Sequence, residues 1–222
     1  MSQYLEVGAD QAPLSIRVRT AADGRTQPIV MLHGLGGDEH AMWVFETALP
    51  TGSLLVAPRA PYPQPGGGYG WLPKIAAWPP MVEEYVETVA IFEALLGHLQ
   101  AKHGLDRRGL LLMGFSQGSA MAFAATMLGL SVPPAAVIVG AAHLPQGDLR
   151  LLRGLPIFWA HGLRDEVIPI EVARADVGRL RKAGAEVHFC EADASHKLGI
   201  ECLRDLQQWF REQSWEREGR TL

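Results

Sequence analysis

The sequence predicts one α/β domain: a mainly parallel central sheet with helices on both of its faces. Short, continuous apolar runs of strand length alternate with longer segments of helical period, the order that builds a parallel sheet. The chain has 222 residues, enough for one substantial core and too few for two comfortable domains. Apolar residues make up 48% and charged residues 20%, an ordinary globular balance, and no repeat or linker divides the chain.

The elements follow in order. Residues 14–20 alternate apolar and polar side chains and read as an early, half-exposed strand. Pro28-Ile29-Val30-Met31-Leu32 and Leu54-Leu55-Val56-Ala57 are unbroken apolar runs, as strands covered on both faces should be. Residues 58–80 are the one long irregular segment, rich in proline and glycine; a loop of that length in a compact domain is functional or disordered, and a flexible edge of a binding cleft is expected. Its Gly66-Gly67-Gly68 lacks the Lys-Ser/Thr and following helix of a phosphate loop. Pro79-Pro80 then opens a helix in which Val82, Tyr85, Val89, Phe92, Leu96 and Leu99 recur at helical period, up to a capping Gly104. Residues 109–113, 135–139, 156–160 and 186–190 read as further strands, and 119–128, 171–182 and 198–212 as helices. The core is expected over about 14–213, with a polar tail, 214–222, that frays.

Bulk properties exclude several classes. A formal charge of -4 gives no basic footprint for nucleic acid or an anionic membrane. Met1-Ser2-Gln3-Tyr4-Leu5-Glu6 lacks the basic-then-apolar start of a signal peptide, and no uncharged run approaches the ~18 residues of a membrane span. A cytoplasmic protein is expected. Cys190, on a strand, and Cys202, on a helix, are read as buried, reduced thiols, with a disulfide left open.

The chemistry concentrates at four places. Gly114-Phe115-Ser116-Gln117-Gly118 stands between a strand and a helix, the setting of a nucleophile elbow, where glycines let a sharp turn push the serine oxygen outward. A serine hydroxyl needs a base, and the base needs a group to hold its tautomer. Asp165, in His161-Gly162-Leu163-Arg164-Asp165, follows one strand; His196, in Asp193-Ala194-Ser195-His196, follows the last. Both therefore fall at the C-terminal sheet edge, where parallel sheets gather their sites. The order Ser116, Asp165, His196 is that of an α/β-hydrolase. Finally, Leu32-His33-Gly34-Leu35-Gly36-Gly37 follows a buried strand, so the amides of Leu35 and Gln117 are the candidates for binding a developing oxyanion.

Other residues have blander readings. His33 and His161 are expected to anchor turns, not to hold a metal. His143 lines the pocket or simply packs. Asp38 and Glu39 are read as a helix-start cap and a surface charge, and Asp193 as a weaker rival to Asp165. Trp43, Trp71 and Trp78 are candidates for an aromatic pocket wall.

These motifs, with Pro58-Arg59-Ala60-Pro61 and His161 through Pro169, resemble the phospholipase/carboxylesterase family of small α/β-hydrolases, which includes acyl-protein thioesterases and bacterial carboxylesterases. The resemblance spans about residues 28–210 and rests most specifically on the Phe-Ser-Gln elbow. It implies a triad of Ser116, Asp165 and His196 and oxyanion donors at Leu35 and Gln117. The departures are Ser119, where relatives often carry glycine, and the segment from Gly66 to Trp71. The resulting expectation is hydrolysis of small-molecule carboxylic esters with short to medium acyl chains, without cofactor or metal. Thioester or lysophospholipid cleavage is the alternative within the same chemistry, and a non-catalytic binding protein the alternative outside it. Ser116 and Asp165 are only 49 positions apart, which leaves no room for a cap domain. Assembly as a homodimer stays open.

Overall fold

A computed structural model describes residues 4–20, 27–74 and 78–213; the expected frayed tail, 214–222, lies outside these. The chain forms β1 (Tyr4–Val7), β2 (Ile16–Arg19), β3 (Pro28–Leu32), β4 (Leu54–Pro58), β5 (Tyr62–Pro63) and β6 (Tyr69–Gly70). There follow α1 (Val86–His103), β7 (Leu111–Phe115), α2 (Gln117–Leu128), β8 (Ala136–Gly140), β9 (Pro156–Gly162), α3 (Ile170–Ala183), β10 (Glu186–Ala192) and α4 (Ile200–Glu212). The main sheet has the order β1-β2-β4-β3-β7-β8-β9-β10. From β4 to β10 all neighbours are parallel, and the two pairings at the other edge, β4 with β2 and β2 with β1, are antiparallel.

Because side chains alternate across a strand, each central strand feeds two cores. Val30, Leu32, Leu112, Val137, Val139, Ile157 and Trp159 point to one face, under α1, α2 and α3. Ile29, Met31, Leu55, Leu111, Met113, Ile138 and Phe158 point to the other, under α4 and a 3₁₀ segment, Ala41–Ala48. Each large apolar side chain so enclosed contributes about 1.5–3 kcal/mol. Every residue from Gln117 to Met127 in α2 is buried. Its many alanines let it lie close against β7 while α1 covers its far side.

Three expectations need correction. The α-helix does not open at Pro79-Pro80. Those carbonyls accept from Gln146, whose side chain bonds Pro79 (3.2 Å) and whose backbone bonds Pro80 (2.9 Å), so the prolines are tied to the loop after β8 and lie outside any helix. A 3₁₀ turn, Val82–Tyr85, then leads into α1. Second, the described part of the glycine-rich segment is an ordered hairpin, β5–β6, with Tyr62 opposite Gly70. Third, Cys190 and Cys202 are not free thiols but a disulfide joining β10 to α4.

Candidate active site

β3 pairs with β4 on one side and β7 on the other, so the chain reverses its direction of travel across the sheet there. Such a switch point leaves a crevice at the strands' C-terminal ends. Ser116 sits at the end of β7 with φ 52 and ψ -117, a left-handed backbone costing on the order of 1–3 kcal/mol for a non-glycine residue. Tight packing and hydrogen bonds hold it there: Ser116 N donates to Gly140 O at 2.9 Å, and its carbonyl accepts from Ser119 N at 2.9 Å. A Cβ on Gly118 would lie 2.0 Å from the Leu32 carbonyl oxygen, so only glycine lets the elbow press against β3. Ser119, the departure from the family pattern, is buried and bonds Gly140 O through its hydroxyl (3.2 Å).

His196 Nε2 lies 3.0 Å from Ser116 Oγ, and His196 Nδ1 lies 3.0 and 2.8 Å from the two carboxylate oxygens of Asp165. The carboxylate can only accept, so Nδ1 carries the hydrogen and Nε2 presents a lone pair to the serine hydroxyl. Asp165 Oδ1 also accepts from the amides of Val167 and Ile168, both at 2.9 Å. The two loops are stitched together: Leu163 N donates to Ala192 O (2.8 Å) and Arg164 N to Ala194 O (2.9 Å). Asp193, the rival acid, is instead paired with Arg164 at the surface (2.5 Å).

The other two histidines of the motifs are anchors. His33 Nε2 accepts from Ala60 N (3.0 Å), which leaves its Nδ1–H to donate to Gly34 O (2.7 Å). His161 Nδ1 accepts from Trp159 Nε1 (3.4 Å), and its Nε2–H donates to Ile168 O (2.8 Å). Burial holds both imidazoles below their ordinary protonation range, as neutral anchors require.

The amides of Leu35 and Gln117 have no acceptor among the described residues, whereas Gly36 N, beside them, donates to Tyr69 O (2.9 Å). That last bond belongs to the β5–β6 hairpin, which buttresses the 34–37 loop; Tyr69 N returns a bond to Gly37 O (2.9 Å). Glu39 is also part of this support and not a surface charge. It is buried and takes two bonds from Arg59, from Nε at 2.6 Å and from the guanidinium NH2 at 2.5 Å. Burial is the largest single influence and works to raise its carboxyl, but the Arg59 hydrogen bonds, a backbone hydrogen bond and the nearby positive charge together hold it below its usual range. Asp38 caps the following turn by accepting from His40 N (2.9 Å).

Beside Ser116 lies a cavity of about 300 Å³. His143 and Trp78 line it, ring to ring at 3.9 Å. Trp43 and Trp71 do not. Trp43 lies on the opposite side of the sheet among the α4-face residues, its ring against Tyr4 and Arg17. Trp71 is fully buried behind the site, where its ring N–H donates to His33 O (2.8 Å) and its backbone N–H to Gln117 Oε1 (2.9 Å). Tyr85, Phe115 and Val167 line the cavity but were legible in the sequence only as core or loop residues. The helical stripe that includes Tyr85 gave no sign that this residue lines a cavity.

Comparison with known proteins bears on the family and the fold. The sequence profile described as Phospholipase/Carboxylesterase matches residues 15–214. A probable carboxylesterase SOBER1-like of Arabidopsis thaliana is 24% identical over 204 residues, covering 83% of this chain and 78% of that one. Among solved structures, a carboxylesterase from Mesorhizobium loti superposes with a TM-score of 0.80 at 20% identity, covering 96% of this chain and 99% of that one. The Bacillus cereus carboxylesterase gives 0.81 at 17% identity, covering 92% and 96%. At these identities the structural likeness establishes the α/β-hydrolase fold.

Proposed function

The chain belongs to the phospholipase/carboxylesterase family, and on that premise we propose that it hydrolyses carboxylic esters through a covalent acyl-enzyme on Ser116. The observation that carries the reading is the continuous line from Ser116 Oγ through His196 to the buried Asp165 carboxylate. His196 Nε2 takes the hydroxyl proton as Ser116 Oγ bonds to the ester carbon. The carbonyl oxygen becomes an oxyanion that accepts from the Leu35 and Gln117 amides. Collapse breaks the bond to the alcohol, which leaves with the proton from His196. Water, deprotonated by the same nitrogen, then releases the acid and restores Ser116. Asp165 orients the imidazole and stabilises its charged form throughout.

Hydrolysis of p-nitrophenyl esters from acetate to palmitate tests this, with Ser116→Ala alongside and thioester counterparts in parallel. Turnover with an optimum at short or medium chains, falling at least about 10³-fold in the variant, is expected. Equal turnover by wild type and variant would overturn the role of Ser116, and activity confined to palmitate would overturn the chain-length reading. No helix among the described residues is long and apolar enough to cross a membrane. The Cys190–Cys202 bridge suits an oxidising compartment better than the reducing cytoplasm expected from sequence. Alkylation of free thiols in protein from its native cells decides between the two.

A further inference from the structure

Most of the buried side-chain polar atoms that lack a partner among the described residues belong to side chains lining the cavity beside Ser116. Seven buried side-chain nitrogen or oxygen atoms have no hydrogen-bond partner among the described residues. Three are the Nε atoms of Arg17, Arg19 and Arg107, each of which makes a hydrogen bond through another guanidinium nitrogen. The remaining four are Tyr85 Oη, Gln117 Nε2 and both ring nitrogens of His143, and all belong to residues lining this one cavity. Tyr85, Gln117 and His143 are 0%, 5% and 1% exposed.

These groups are also held in place. Gln117 Oε1 is fixed by Trp71 N (2.9 Å), which leaves the amide NH2 as a free donor. The loop carrying His143 is tied down where Leu144 N donates to Asp176 Oδ2 (2.8 Å), and the imidazole lies against Trp78. Folded proteins leave few buried polar groups unpaired, and a set gathered in one pocket is the signature of a polar ligand group.

We infer that the part of the substrate lodged in this cavity bears a neutral hydroxyl or carbonyl, received by His143, Tyr85 and Gln117. The inference rests on the esterase reading of Ser116 and narrows its substrate class. The chemistry of the three side chains sets the type of group. A neutral imidazole gives one donor and one acceptor, the phenol can do either, and the amide nitrogen only donates. Burial lowers the His143 imidazole to about 4, so it carries no charge at neutral pH, and burial likewise keeps the Tyr85 phenol protonated. A carboxylate would therefore enter without a counter-ion from these three. A bare hydrocarbon chain would leave these four polar atoms, already shut off from solvent, without a partner.

The test uses esters matched in shape: p-nitrophenyl β-hydroxybutyrate against isovalerate and levulinate against isocaproate for the acyl side, and hydroxypropyl against isobutyl acetate for the alcohol side. In at least one pair, kcat/KM for the polar member should exceed that for its apolar twin by about tenfold or more. His143→Phe keeps an aromatic ring beside Trp78, and Tyr85→Phe removes a single oxygen; each should pull that ratio toward one. Ratios of one or less in every wild-type pair, or ratios unmoved by both variants, would overturn the inference. Should a variant fail to fold, calorimetric binding of the same pairs to Ser116→Ala decides, with equal affinity within every pair counting against it. Absence of any ester turnover by folded wild type would contradict the esterase reading instead, and the binding measurement would still judge the polar pocket separately.

Discussion

At the residue scale the decisive geometry is the orientation of one carboxylate. Asp165 Oδ1 is already committed to the Val167 and Ile168 amides. In Asp165→Asn the side-chain oxygen would stay with those donors, which turns an NH2 group toward His196 Nδ1. The imidazole would then flip its hydrogen to Nε2 and lose its lone pair toward Ser116. We expect kcat to fall by about 10³–10⁴ with little loss of melting temperature, measured by steady-state kinetics and circular dichroism. His143 makes a second residue-scale prediction. Its folded value near 4 lies below the unfolded value of about 6.5, so its stabilisation is full above the latter and fades as pH falls toward the former. The loss is on the order of 3 kcal/mol. Melting curves between pH 7 and 4.5 should show a steeper acid decline for wild type than for His143→Phe, and parallel declines would sink the idea. Ser116, Asp165 and His196 were legible because each is fixed by a short motif at a strand end. The surroundings of Trp43, Trp71 and Glu39 were not, because they depend on contacts from distant segments, as when Arg59 reaches Glu39.

At the element scale, the elbow works because α2 begins hard against the end of β3. Gly118→Ala places a methyl where the Leu32 carbonyl stands. We expect a loss of about 3 kcal/mol or more in urea unfolding, together with reduced turnover. A neutral result would mean the elbow is looser than its geometry indicates. The disulfide acts on another element, the β10–α4 connection that carries His196, by tying Cys190 to Cys202 across it. Closing so short a loop stabilises the fold by about 3 kcal/mol in the chain-entropy account. Urea unfolding with and without reductant should differ by roughly that much, and coincident curves would deny the cross-link in solution. Most strands and helices could be read from their apolar period. The exceptions have physical causes: β1 is four residues long, too short to display a period, and the β5–β6 hairpin is held largely by its bonds to the 34–37 loop. The opening of α1 was misplaced because Gln146, far along the chain, claims the Pro79 and Pro80 carbonyls.

For the molecule as a whole, topology does what no single element could. The ends of β7, β9 and β10 deliver Ser116, Asp165 and His196 to one edge of the sheet, and β3 brings the 34–37 loop beside them. Chain order and spacing announced this arrangement, since strands in a parallel sheet all finish on the same side. That His143, Tyr85 and Gln117 would line one cavity was not announced, because the Trp78–Pro80 segment, the turn before α1 and the loop after β8 meet only in three dimensions. Between Ser116 and Asp165 the chain holds only α2, β8, a short 3₁₀ turn and β9. Leu35 and Val167 stand exposed at the rim. Among the described residues no element covers this rim. On the esterase reading, bond making and breaking on the serine should then set the pace, and thickening the solvent with sucrose should leave kcat where it was.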